Sequence, residues 1–223
     1  MIRVAIVDDH PAVRLGLHTA IRSEPGLVPA GAAASAVELA PLLYRSRPDV
    51  VLLDYNLPDV DGLTVCRDVK TQALAPRVIL YSAFADGSMT VPALVAGADG
   101  ILSKGVPARD LFEAIREVSS GGDAMPPISS DQLQAASSAL DVADLPILGM
   151  LIDRTPTHEI ADTLRIDHAM LKRRIGSMLG HLTASVNDSA PRRKRWPPKV
   201  AQAKAPAGSV SAGSWSSWDR FDA

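Results

Sequence analysis

Cysteine is almost missing from this chain: Cys66 is the only one in 223 residues. A lone thiol excludes an internal disulfide and fits a reducing cytosol. Long apolar runs are missing too. None approaches the ~20 residues that a membrane-spanning helix needs, and the first apolar stretch meets acids at Asp8, too early for the core of a secretory signal. The expectation is a cytoplasmic protein with no membrane partner. A basic excess is absent from most of the chain. The formal net charge is -2; residues 1–122 carry 11 Lys/Arg against 14 Asp/Glu, residues 123–186 carry 5 against 8, and residues 187–223 carry 7 against 3. Only the tail is basic.

What is present is an alternation. Short β-branched runs near residues 3–7, 27–33, 49–53, 77–81 and 100–103 alternate with segments of helical period, a pattern that predicts a five-stranded parallel α/β sheet. Pro11 and Pro107 stand where proline favours a helix start, and Gly121-Gly122 closes the last of these helices. From Ser119 to about Ala139 the chain becomes rich in Ser, Gly, Pro and Ala and reads as a linker with room for a short helical stretch. Apolar residues at helical spacing from Leu145 to Leu182 predict three or four small helices. Beyond Val186 the composition holds too few apolar residues at any period to offset the entropy of ordering, so disorder is expected there. The expected domains are therefore 1–122, a linker at 123–139, a helical domain at 140–185 and a basic tail at 186–223.

Four of the five strands end on chemistry. Asp8 and Asp9 follow Val4-Ala5-Ile6-Val7, Asp54 follows Val50-Val51-Leu52-Leu53, and Ser82 and Lys104 end the two later runs. In an open α/β sheet the ligand site lies at the carboxyl ends of the strands, so three carboxylates, a hydroxyl and an ammonium should meet at one edge. Clustered carboxylates repel one another unless a hard divalent cation sits among them, and Mg²⁺ suits an oxygen-rich set. Asp54 would then be a nucleophile for a phosphoryl group, with Lys104 neutralising charge on the transferred oxygens and Ser82 donating to one of them.

The strings VDDH, LLDYNLPDVDG, YSA and GADGILSK resemble the receiver domain of two-component response regulators over about residues 1–122. The resemblance implies a flavodoxin-like, doubly wound sheet and Asp54 as the phosphorylated residue. It further implies Asp9, Asp54 and the Asn56 carbonyl as direct Mg²⁺ ligands, Asp8 acting through water, and Ser82 and Lys104 as the switch hydroxyl and lysine. One position departs from the pattern: where the family usually carries an aromatic, three residues before the lysine, this chain has Ile101.

Residues 140–185 resemble the helix-turn-helix DNA-binding domain of the NarL/LuxR group, through Thr157-His158-Glu159-Ile160-Ala161 and then Leu171-Lys172-Arg173-Arg174-Ile175 after a turn at Asp167. The recognition helix would begin with Asp167 as its N-cap. By this resemblance Lys172 and Arg173, with Arg174 beside them, contact phosphates or bases, and His168 and Met170 reach base edges. The domain's acidity, Gly176 and Gly180 inside the recognition helix, and a poor helix-forming sequence after Leu182 depart from the group's pattern. The five histidines show no metal-ligand spacing with the cysteine and read as structural or surface residues. The tail's Arg192-Arg193-Lys194-Arg195 could add affinity for DNA by counterion release.

The reading is a switch, not an enzyme. A sensor histidine kinase and double-stranded promoter DNA are the implied partners, with a homodimer admitted. Two alternatives remain: a receiver controlling a protein-interaction module whose DNA-binding domain is degenerate, and an unphosphorylated scaffold that answers to a small ligand.

Overall fold

Each of the five apolar runs becomes a strand: β1 (Ile2–Val7), β2 (Leu27–Ala33), β3 (Val50–Leu53), β4 (Arg77–Ser82) and β5 (Gly100–Ser103). All neighbouring pairs are parallel, in the order β2-β1-β3-β4-β5. The structure, a computed structural model, describes residues 1–72, 74–83 and 87–189. These all fall within one compact unit, Met1–Ala190. The tail expected from residue 186 lies outside the described residues, apart from its first few.

Strand side chains alternate between faces, and the two faces bury different helices. Val4 and Ile6 of β1, with Val50, Leu52 and Ile79, pack against α1 (Pro11–Ser23) and α5 (Ala108–Ser119). Ala5, Val7, Val51, Leu53 and Leu80 face the other way, against α2 (Ala36–Ser46), α3 (Gly62–Lys70) and α4 (Thr90–Val95). Strand order reverses direction between β1 and β3, so the residues following those two strands flank the crevice where such sheets hold ligands.

The remaining helices are α6 (Ser130–Ser138), α7 (Leu145–Ile152), α8 (Thr157–Leu164) and α9 (His168–Ser189). They share the second core. Ile147, Leu148, Ile160, Leu171, Ile175, Met178, Leu179 and Leu182 join one buried cluster with Val91, Ala93 and Val95 of α4. All six residues of α4 are buried as a result.

The segment 123–139, read as a linker with room for a short helical stretch, holds α6 and is also tied to the sheet. Ala124 pairs with Gly100 at the β5 edge, donating to the Asp99 carbonyl (2.8 Å) and accepting from Ile101 N–H (3.2 Å). Ser129 and Gln132 then form a capping box that starts α6. The recognition helix needs a correction: it is not interrupted at Gly176 and Gly180. It runs unbroken to Ser189, through residues expected to be poor helix formers. Adding a residue to an existing helix needs no new nucleus, and a buried face outweighs about 1 kcal/mol of propensity per glycine.

Candidate functional site

The register sets the site. Val7 pairs with Leu53, Leu53 with Leu80 and Leu80 with Ile101, so the residues that follow these strands emerge on one edge. Asp54 N–H donates to the Val7 carbonyl (2.8 Å), Asp8 N–H to the Ala33 carbonyl (3.1 Å) and Lys104 N–H to the Ser82 carbonyl (2.8 Å). Three backbone segments are thereby locked at the crevice. After Asp54 the chain turns tightly: Gly62 N–H donates to the Tyr55 carbonyl (2.7 Å), and a Cβ at Gly62 would stand 2.4 Å from the Asp54 carbonyl oxygen. Only glycine fits there. Asp61 caps α3 by accepting from Thr64 N–H (2.9 Å).

The side chains converge. Lys104 Nζ lies 2.6 Å from Asp8 Oδ2 and 2.8 Å from Asp54 Oδ2, and both carboxylates are almost fully buried, at 1% and 3% exposure. Asn56 N–H reaches Asp54 Oδ1 at 3.3 Å, and Ser82 is fully buried at the end of β4. Burial pushes the Asp54 carboxyl above its ordinary pKa, against the hydrogen bond and charge of Lys104. At Lys104 burial opposes the ammonium, yet its bonds to Asp54 and Asp8 and their charges outweigh it and raise its pKa.

Oxygens of Asp8, Asp9 and Asp54 and a ring nitrogen of His10 all lie within 4.8 Å of one another. Asp9 Oδ1 is a buried oxygen with no satisfactory hydrogen bond; His10 Nδ1 sits 2.5 Å away without hydrogen-bond geometry. Three carboxylates in one tight set, with a single ammonium between two of them, are what a divalent cation neutralises, so the donor set fits a metal. His10 was not anticipated as part of this group. Its side chain is 66% exposed, in keeping with the surface role expected of it.

Ile101 is 4% exposed and packed into the core shared with α4 and the C-terminal helices, so this position is a fixed core residue.

In the helical region, Asp167 caps α9 as expected, accepting from Met170 N–H at 2.6 Å. Of the five residues expected to face DNA, Arg174 is not presented with the others. Arg174 turns inward: its Nε donates to Asp144 Oδ1 (2.7 Å) and its guanidinium also bonds the Ala143 carbonyl. His168 and Lys172 line a cleft of about 620 Å³ against Arg67, Lys70 and Gly97 of the α/β unit. His168, Met170, Lys172 and Arg173 are all exposed, and Arg174 alone of the five is half-buried. Arg154 ties the two regions further, donating to the Ala98 carbonyl (3.0 Å).

Residues 4–116 match the model of the response regulator receiver domain. The chain belongs to that family. Similarity to known proteins continues past the receiver: the chain is 28% identical over 192 residues to the DNA-binding transcriptional activator DevR/DosR of Mycobacterium tuberculosis, covering 82% of this chain and 88% of that protein. It is 29% identical over 187 residues to the nitrate/nitrite response regulator NarL of Escherichia coli K12, covering 79% and 87%. Among solved structures, a LuxR-family two-component response regulator from Aurantimonas sp. SI85-9A1 superimposes with a TM-score of 0.53 at 31% identity, over 60% of this chain and 94% of that one. No helix among the described residues is long and apolar enough to cross a membrane.

Proposed function

We propose that this chain is a cytoplasmic transcriptional regulator switched by phosphorylation of Asp54 by a sensor histidine kinase. The observation that carries this reading is the buried Lys104 bridging Asp8 and Asp54 at the strand ends, within a cation-compatible acidic set. The Asp54 carboxylate attacks phosphorus and the donor's leaving group departs with the bonding pair. Lys104, already 2.8 Å from Asp54, stays to neutralise charge on the transferred oxygens, and the Ser82 hydroxyl donates to one of them. Asp9, Asp54 and the Asn56 carbonyl would hold Mg²⁺ directly and Asp8 through water. When bound, the cation screens negative charge between the acids and the incoming phosphoryl group.

Output runs through α9. The relatives named above are similar to this chain through its helical region, and one bears the name of a DNA-binding activator. The inner face of α9 is packed with α4, while His168 and Lys172 face the receiver across the cleft, which suits a closed state. Phosphorylation would shift the population toward an open state that moves Lys172 clear of the receiver, so that it and the already exposed Arg173 meet promoter DNA together. One observation favours a second reading, the protein-interaction module: Arg174 is committed to Asp144, leaving few cations on the proposed reading face.

Salt-dependent DNA binding, with and without a small-molecule phosphoryl donor and Mg²⁺, tests the proposal. Phosphorylated wild type should bind duplex more tightly than unphosphorylated protein, and Asp54→Asn should show no donor effect. Equal phosphate labelling of Asp54→Asn and wild type overturns the assignment of Asp54. Absence of DNA binding by labelled wild type at low salt selects the interaction module.

A further inference from the structure

We propose that the cleft between α3 and the helices α8 and α9 is a binding site for a small phosphate-bearing anion, separate from the acidic pocket at the strand ends. The site rests on the cleft alone; its effect on output rests on the closed-to-open reading above.

Sequence spacing supplies the charge. Arg67 and Lys70 stand three residues apart on α3, and His168 and Lys172 four apart on α9, so each pair shares a helix face. Packing of α9 with α4 brings the two faces across one cleft of about 620 Å³, which His158 of α8 also lines. No Asp or Glu is among the described residues that line it. Arg67 and Lys70 have acids behind them: Arg67 pairs with Asp68 (2.9 Å) and Lys70 with the buried Asp99 (2.8 Å), which Arg77 also holds. Lys172 has no ion-pair partner among the described residues, and the closed arrangement turns it toward the two cations of α3. A cleft lined by one sign of charge with apolar walls, here Val95, Leu151, Leu171 and Ile175, concentrates that field on whatever enters it.

A second, independent feature points the same way. Pro156 stands at the N-cap of α8 and supplies no side-chain cap, so the N–H groups of the first turn are left for another acceptor. Thr157 and His158 of that turn line the cleft. A phosphate offers several acceptor oxygens and more than one charge. It can therefore bridge Lys172 to Arg67 or Lys70 and accept from the start of α8 at the same time. The cleft has the size of a small-molecule site, and its apolar wall gives a ring attached to the phosphate a surface to pack on. Such a ligand ties α9 to α3, holds the closed arrangement and keeps Lys172 from DNA.

Isothermal titration calorimetry of the full chain with ATP and with pyrophosphate, both in EDTA so that no cation links them to the acidic pocket, is the test. Wild type should bind ATP, and more tightly than pyrophosphate, because only ATP reaches the apolar wall. Lys172→Gln and Arg67→Gln should each weaken ATP binding about tenfold or more, the loss of one charge-assisted contact. Arg109→Gln, on the exposed face of α5, should leave it unchanged. Lys172 is exposed and Arg67 partly exposed, so both variants keep the fold. Equal affinity for the two ligands, with the same losses in the variants, makes the occupant inorganic and supports the site. ATP binding undiminished in both variants places the anion elsewhere, on the basic run Arg192-Arg193-Lys194-Arg195, and overturns the proposal, as does the absence of binding to wild type. Wild type phosphorylated beforehand should bind ATP more weakly than unphosphorylated protein. Equal affinity there, with the losses in the variants intact, supports the site and overturns only the closed-to-open reading.

Discussion

At the scale of single residues, the pocket is a balance of burial against one shared ammonium. Lys104→Met should cost about 3 kcal/mol of stability, because it leaves Asp8 and Asp54 buried without their counter-ion. Adding Asp54→Asn should recover much of that loss, since it removes one of the stranded charges; urea unfolding of both single variants and the double variant measures the coupling. The raised pKa values give a pH dependence of definite sign. Lys104 holds its proton more tightly folded than unfolded, so its contribution is complete below the ordinary lysine value and is lost as pH rises through the raised one. Asp54, also raised, contributes fully below the ordinary carboxylate value, and that contribution is lost as pH rises through the raised one. The alkaline fall in the urea midpoint should therefore be shallower in Lys104→Met than in wild type. Cys66 gives a simpler case. Burial pushes its thiol up to about 12, so an aromatic disulfide reagent should modify native protein only at the rate of its opening, and react at once with unfolded chain.

At the scale of elements, α9 carries two glycines with opposite surroundings. A Cβ at Gly180 meets nothing within 4 Å, while one at Gly176 would stand 3.1 Å from the guanidinium of Arg67 on α3. Gly180→Ala should accordingly stabilise the protein by up to about 1 kcal/mol, the propensity difference, as read from the urea midpoint. Gly176→Ala should gain less or lose, since Arg67 must move. The close approach gives Gly176 a packing reason that helical propensity cannot supply. The start of α9 is held differently, by the pair of Arg174 with the 6%-exposed Asp144, and Arg174→Met should destabilise by about 3 kcal/mol by stranding that acid. A cation first read as facing DNA thus becomes a clamp between α9 and the turn before α7.

At the scale of the whole molecule, receiver and C-terminal helices share one apolar core through α4. Val95 of α4 lines the cleft with Leu171 and Ile175 of α9. Val95→Asp should weaken this packing by burying a carboxylate, and under the proposed closed-to-open switch it should raise DNA affinity in the absence of any phosphoryl donor. Unchanged affinity in a folded Val95→Asp variant would mean that the α4–α9 packing does not restrain the output.

The sheet and the strand-end residues were legible from residue order alone. Short buried β-branched runs have few alternatives, each strand boundary was legible to within about one residue, and a parallel register brings the ends of β1, β3, β4 and β5 to one edge whatever the loops do. Asp8, Asp9, Asp54, Ser82 and Lys104 were therefore visible in one dimension. His10 was not: which ring nitrogen turns toward which oxygen depends on the backbone turn after Asp9, and residue types do not specify it. The partners of α9 were equally hidden, because an amphipathic stripe says that a face is buried but not against what. Only the tertiary structure decided that α4 covers it, that Arg174 is spent on Asp144, and that the expected connector is bonded to the sheet edge at Ala124. These are contacts between residues about 25 to 90 positions apart, where local propensity carries no information and packing decides.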